Sequence, residues 1–124
     1  MKKEFFRQHK PFVVPTSDGK TIQEHFGLAS TGNNDISIAH MIAPPGWSEA
    51  PQRPEFDEYT LMVSGRKEIE IDNEKIVLKA GESLLVRRGT RVRYANPFSE
   101  PAEYWAVCIP AFTEEKARRV DGTA

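Results

Sequence analysis

The amino-acid sequence predicts an all-β domain, an antiparallel sandwich or barrel with little helix. Glycines and prolines punctuate its 124 residues about every eight to twelve positions, the spacing at which short strands alternate with turns. The runs between them are short and rich in valine, isoleucine and tyrosine, side chains that fit a half-buried pleated surface. Helical signal is confined to one stretch near the C-terminus.

In order, the predicted strands are Phe12 to Val14, Ile36 to Ala43, Tyr59 to Val63, Lys67 to Ile71, Lys75 to Lys79, Ser83 to Val86, Val92 to Ala95 and Glu103 to Ile109. Asp72 and Asn73 separate two of them and tolerate the left-handed backbone of a tight hairpin, so that pair is antiparallel. Thr31 to Asp35 and the proline-rich stretch Pro44 to Pro54 read as loops. Thr113 can cap one helical turn through Glu114, Glu115, Lys116, Ala117 and Arg118, with acids early and bases late as the helix dipole prefers. Tyr59-Thr60-Leu61-Met62-Val63 is apolar on both alternating faces, whereas a strand with one wet face alternates more cleanly. An outer cover is therefore expected, either the N-terminal strands folded back over it or a second copy of the chain in a homodimer built by sheet-on-sheet packing.

The length suits a single domain. Seventeen basic residues against eighteen acidic ones leave a formal charge of -1, which supplies no global field for nucleic acid or an anionic membrane, and neither is expected as a partner. Cys108 stands alone, which excludes an internal disulfide and suits a reducing cytoplasm. Met1 to Arg7 lacks the apolar core of an export signal, and no window approaches the length of a membrane span. A cytoplasmic protein is the expectation.

Gly46, Glu58, six intervening residues and Gly65 share the frame of the first cupin motif, in which a glycine turn precedes two histidines, a glutamate and a second glycine. Gly81, Arg87, Gly89 and Asn96 fall on the glycine, proline, glycine and asparagine positions of the second motif. Residues 36–110 thus resemble a small single-domain cupin, which implies a cupin-type antiparallel β-barrel (jelly roll). On that reading residues 1–35 are N-terminal strands and loops covering the barrel, and residues 111–124 are a turn or tail. The glycines have an independent explanation as turn chemistry, Gly65 reversing the chain between two strands.

In metal-bearing cupins, two histidines and a glutamate of the first motif and a histidine of the second converge inside the barrel. Here the histidine positions hold Gln52, Pro54 and Val92, and only the glutamate remains, as Glu58. Glutamine is a weak ligand for transition metals, and proline and valine offer none, so no metal and no cofactor is expected. The pattern is similar to ethanolamine-utilisation-type cupins, in which acidic and amide side chains replace the histidines.

Strand alternation places Glu58, Thr60 and Met62 inside, with Val92 and Tyr94 across the cavity. A carboxylate buried there without a metal must be paired, hydrogen-bonded or protonated, which makes Glu58 a candidate general acid or base. Gln52 and Tyr94 are candidates to orient a small organic ligand. Arg87 or Arg91, from a basic cluster with Arg88 and Arg93, could hold its anionic group. Glu55, His40 and Trp105 complete the ligand-binding candidates, Trp105 as a stacking surface that is more often core.

Three functions follow. The first is a metal-free small-molecule-binding barrel with acid/base isomerase, epimerase or lyase activity centred on Glu58. The second is a metal-dependent oxidoreductase-type cupin with a rearranged site using His40, Glu58 and Glu55. The third is a non-catalytic dimerisation or regulatory module whose barrel is filled by Met62, Val92 and Tyr94.

Overall fold

A computed structural model describes residues 4–120. Nine strands and one helical turn follow in order: β1 (Phe12–Val13), β2 (Thr21–Phe26), β3 (Ser37–Ala43), β4 (Asp57–Ser64), β5 (Arg66–Ile71), β6 (Glu74–Lys79), β7 (Ser83–Val86), β8 (Val92–Ala95), β9 (Ala102–Ile109) and α1 (Glu114–Ala117). They form a six-stranded sheet, ordered β1-β2-β3-β9-β4-β7, facing a three-stranded sheet, ordered β6-β5-β8, and every strand pairing is antiparallel.

Alternation fixes which side chains meet between the sheets. On β4, Glu58, Thr60 and Met62 are buried while Tyr59, Leu61 and Val63 are exposed. On β9, Ala102, Tyr104, Ala106 and Cys108 are buried, and on β5 the inward pair is Lys67 and Ile69. The apolar core gathers at one end of the barrel, where Met62, Ile69, Leu78, Val86, Val92 and Tyr104 pack around Trp47. Asp72, with φ 55, makes the hairpin between β5 and β6. Thr113 caps α1, its side chain accepting from the Lys116 amide.

Gly65 joins β4 to β5 with φ 75, and a Cβ there would be driven into the Pro101 carbonyl oxygen. This position requires glycine for both reasons. Asn96, fully buried after β8, donates its amide to the Ala43 and Glu100 carbonyls at 3.1 and 2.8 Å and accepts from the Phe98 amide at 3.1 Å. It ties three loops together where it was expected only as a motif residue.

The residue pattern does not mark β2 as a strand, because Thr21-Ile22-Gln23-Glu24-His25-Phe26 places a charged Glu24 at an inward position. Contrary to expectation, the N-terminal strands do not lie over the outer face of β4. Hydrogen bonding carries β1 and β2 along the sheet edge beyond β3, leaving Tyr59, Leu61 and Val63 open at 36%, 44% and 47% exposure. Among the described residues, no helix is long and apolar enough to cross a membrane.

Candidate functional site

Below the apolar end of the barrel lies a cavity of about 100 Å³ walled by both sheets, the N-terminal hairpin and the C-terminal tail. Glu58 reaches it from β4 and Lys67 from the facing β5. The loop before β2 adds Lys20, placed where Asp18 accepts from its backbone amide at 3.1 Å. The proline-rich loop adds Glu49 and Gln52, and the tail adds Arg119. Tyr94 forms part of the wall, and Tyr104 packs behind it with its ring beneath both lysines.

The ionisable groups are poorly neutralised. Lys67 is 1% exposed, with its ammonium 3.6 Å from the Tyr104 ring centroid and 4.2 Å from that of Tyr94. Aromatic faces attract a cation but replace little of its hydration. Burial therefore lowers the Lys67 pKa to about 7, the neighbouring Lys20 adding to the effect and Glu58 and Glu49 opposing it. Burial likewise lowers Lys20, whose ammonium lies 4.2 Å over the Trp47 ring. The same burial raises the Glu58 carboxyl, against the pull of Lys67. Among the described residues, neither the Glu58 carboxyl nor the Lys67 ammonium makes a hydrogen bond, and none is among the main causes of their shifts. The phenol hydroxyls of Tyr94 and Tyr104 are buried without a partner among the described residues, and burial holds both well above the ordinary phenol range.

Gln52 is locked in place. Its backbone exchanges two 2.9 Å hydrogen bonds with Val92, and its side-chain oxygen accepts from Arg119 at 3.3 Å. Arg119 also holds Glu114 at 3.1 Å and stands 3.7 Å from Glu49, so the tail is anchored across the cavity.

The predicted site residues divide. Glu58, Gln52 and Tyr94 line the cavity. Thr60, Met62 and Val92 are buried but pack into the core beside it, so they do not fill the whole barrel. The others lie elsewhere. His40 projects from the outer face of β3, its Nε2 2.8 Å from Glu103, with its ring meeting that of Trp105 edge-on at 5.0 Å between centroids. Both were expected near the ligand, but β3 turns Ala39 and Met41 inward. Glu55 is exposed and pairs with Arg118 at 2.8 Å. Arg87 is largely solvated beside Asp57, and Arg91 is half-buried outside the cavity. The basic side chains that do line the cavity are Lys20, Lys67 and Arg119.

Sequence reasoning missed Lys67, although parity with Ile69 and Ile71 marked it as inward. Lys20, Glu49 and Arg119 carry no such signal, because they sit in irregular segments.

A family model described as a cupin domain matches residues 39–110. The chain belongs to the cupin family. As a cupin it is similar in structure to Streptomyces PAC13 with uridine, at TM-score 0.74 and 16% identity, covering 97% of this chain and 92% of that one. It is also similar to the EutQ protein of Clostridium difficile, at TM-score 0.62 and 18% identity over 77% of this chain and 66% of that one. At these identities the likeness is one of fold. In sequence, the cupin is 45% identical over 111 residues to a Myxococcus xanthus protein named endoribonuclease YbeY, matching 90% of this chain and 38% of that protein. The chain thus spans well under half the length of that relative.

The family's metal does not fit this donor set. Gln52 is committed to Arg119, Pro54 and Val92 lack donor atoms, and the Lys67 side chain enters the space that Glu58 faces. The rearranged site also fails, because His40 is on the outer face and Glu55 on the rim. Among the described residues, no group of three His, Cys, Asp or Glu side chains could hold a metal ion.

Proposed function

We propose that this cupin binds a small anionic organic ligand in the barrel cavity and that Glu58 serves there as a metal-independent general acid or base, in isomerase, epimerase or lyase chemistry. The observation that carries the reading is the Glu58 carboxyl itself, buried opposite Lys67 at a cavity wall with its pKa raised. A carboxyl whose pKa is raised in this way is a candidate both to give and to take a proton. Lys20 and Lys67 favour a negative ligand group, and Tyr94 offers an unused hydroxyl to orient it. A cavity of about 100 Å³ is small beside the roughly 300–1,000 Å³ of ordinary ligand pockets, which favours a small ligand.

The reading places the protein in the cytoplasm, as the lone Cys108 suggests, and as a homodimer through the exposed face of β4. A two-fold pairing would bury Tyr59, Leu61 and Val63 against their own copies. The test is calorimetric titration with small carboxylates, hydroxy acids and oxo acids, then proton–deuterium exchange at the carbon next to the carboxylate of those that bind. Binding is expected, with exchange that falls by about a hundredfold in Glu58→Gln while affinity is retained. If none of the acids binds, the reading fails; if exchange persists in Glu58→Gln, the assignment of Glu58 fails.

A further inference from the structure

We infer that the Lys67 amine is a nucleophile that condenses with the carbonyl carbon of a small 2-oxo acid in the barrel cavity. The inference rests on the cavity being a ligand site, as proposed above, and adds a covalent step and a substrate class.

Four observations converge on it. Lys67 is buried in the wall, and no carboxylate lies within ion-pair distance of its ammonium among the described residues. A structural lysine at such depth is held by a partner, since an unpaired buried charge is costly. The Lys67 ammonium instead rests on two tyrosine rings whose hydroxyls are also unpartnered. Glu58 lines the same cavity, and its carboxyl makes no hydrogen bond among the described residues.

Charge selects the substrate class. Glu24 is satisfied by the Ser30 amide at 2.8 Å, and Glu49 faces Arg119. Lys20 also lines the cavity, and among the described residues no carboxylate lies within ion-pair distance of its ammonium. A 2-oxo acid supplies a carboxylate for Lys20 one bond from a carbonyl for Lys67, within a few heavy atoms.

The chemistry balances. The free amine of Lys67 attacks the carbonyl carbon, a C–N bond forms, and the carbonyl π pair moves to oxygen, which takes the Glu58 proton. The added nitrogen returns a proton to the Glu58 carboxylate, giving a neutral carbinolamine. Glu58 then protonates the hydroxyl, the C–O bond breaks, and water leaves. The nitrogen lone pair closes a protonated imine, with the Glu58 carboxylate as its counter-ion. Burial supports the first step, because it lowers the Lys67 pKa to about 7 and leaves much of the amine free at neutral pH.

The test is incubation of the full chain with pyruvate and cyanoborohydride, read by intact mass and peptide mapping. One carboxyethyl group per chain is expected, located at Lys67, absent in Lys67→Met and suppressed in the parent protein by excess lactate, which has no carbonyl. Acetone, uncharged, should label Lys67 at least about tenfold more slowly, the factor that 1.4 kcal/mol represents. Labelling spread over surface lysines and unchanged in Lys67→Met overturns the inference. Lactate binding in the cavity with no adduct from pyruvate also overturns it while leaving the ligand site standing. If neither acid binds, both readings fall.

Discussion

Replacing Lys67 with methionine should make the protein more stable. The side chain is 1% exposed, and methionine follows the same unbranched path without the charge. Burial lowers the Lys67 pKa from 10.5 to about 7. At about 1.4 kcal/mol per pH unit, that gap makes the buried ammonium cost the fold about 4 kcal/mol at pH 7. Below pH 7 both folded and unfolded chains hold the proton, and the cost is full. Between pH 7 and 10.5 the folded amine sheds a proton that the unfolded chain keeps, so the parent gains stability as pH rises.

Glu58 acts in the same direction on the comparison. Its carboxyl is raised above the ordinary 4.5 by burial and held down in part by Lys67. A raised carboxyl contributes stability that is lost as pH climbs past its unfolded value, and without Lys67 it is raised further. Lys67→Met should therefore lose more stability than the parent as pH climbs above 4.5. Cys108, Tyr94 and Tyr104 are buried in both proteins, so their own titrations largely cancel in the difference. Urea denaturation of the two proteins should give a variant more stable by about 4 kcal/mol near pH 7, narrowing to about 3 kcal/mol near pH 8.5. A variant less stable than the parent, by an amount independent of pH, would show Lys67 to be a stabilising ion-pair partner and refute the reasoning.

Two further outcomes rest on geometry alone. Gly65→Ala should cost about 3 kcal/mol or more, or prevent folding, because a positive φ and a clash with Pro101 act together; Gly89→Ala, at φ +83 with nothing within 4 Å of the added Cβ, should cost only about 1–2 kcal/mol. Equal losses in thermal melts would remove the steric argument. Leu61→Glu should leave the fold intact and convert a dimer to a monomer in analytical ultracentrifugation, since it sets a charge into the exposed β4 face; a parent protein that sediments as a monomer disposes of the dimer.

The strands were legible where apolar residues alternate or run together. Of the eight predicted, β7 and β8 match to the residue and most others to within one or two at each end. The missed β2 shows the limit, because its inward Glu24 is buried through a hydrogen bond to the Ser30 amide. No pattern of hydrophobicity announces a carboxylate satisfied from a loop. The site was less legible. Glu58 could be placed from β4 parity, yet the acidic run around it disperses. Glu55 reaches Arg118, Asp57 pairs with Arg87 and Arg88, and Phe56 packs against Phe112. His40 was misplaced because its strand was read without fixing which parity faces in.

The motif frame directs attention to β4 and the β7–β8 segment, where the family's metal ligands would stand, and that wall now offers Glu58 alone. The remaining polarity of the cavity comes from positions outside the frame: Lys67 on the opposite sheet, Lys20 from the N-terminal hairpin, and Arg119 from the tail. Arg119 is ion-paired, but Lys20 and Lys67 are held at an electrostatic cost that a valine or leucine would avoid, and for Lys67 that cost is comparable with much of the stability of an ordinary domain. A fold that needed only a filled barrel would gain by losing Lys67. Its presence opposite Glu58, beside two phenol hydroxyls that have no partner among the described residues, is what the proposed ligand would account for, by supplying charge and hydrogen bonds.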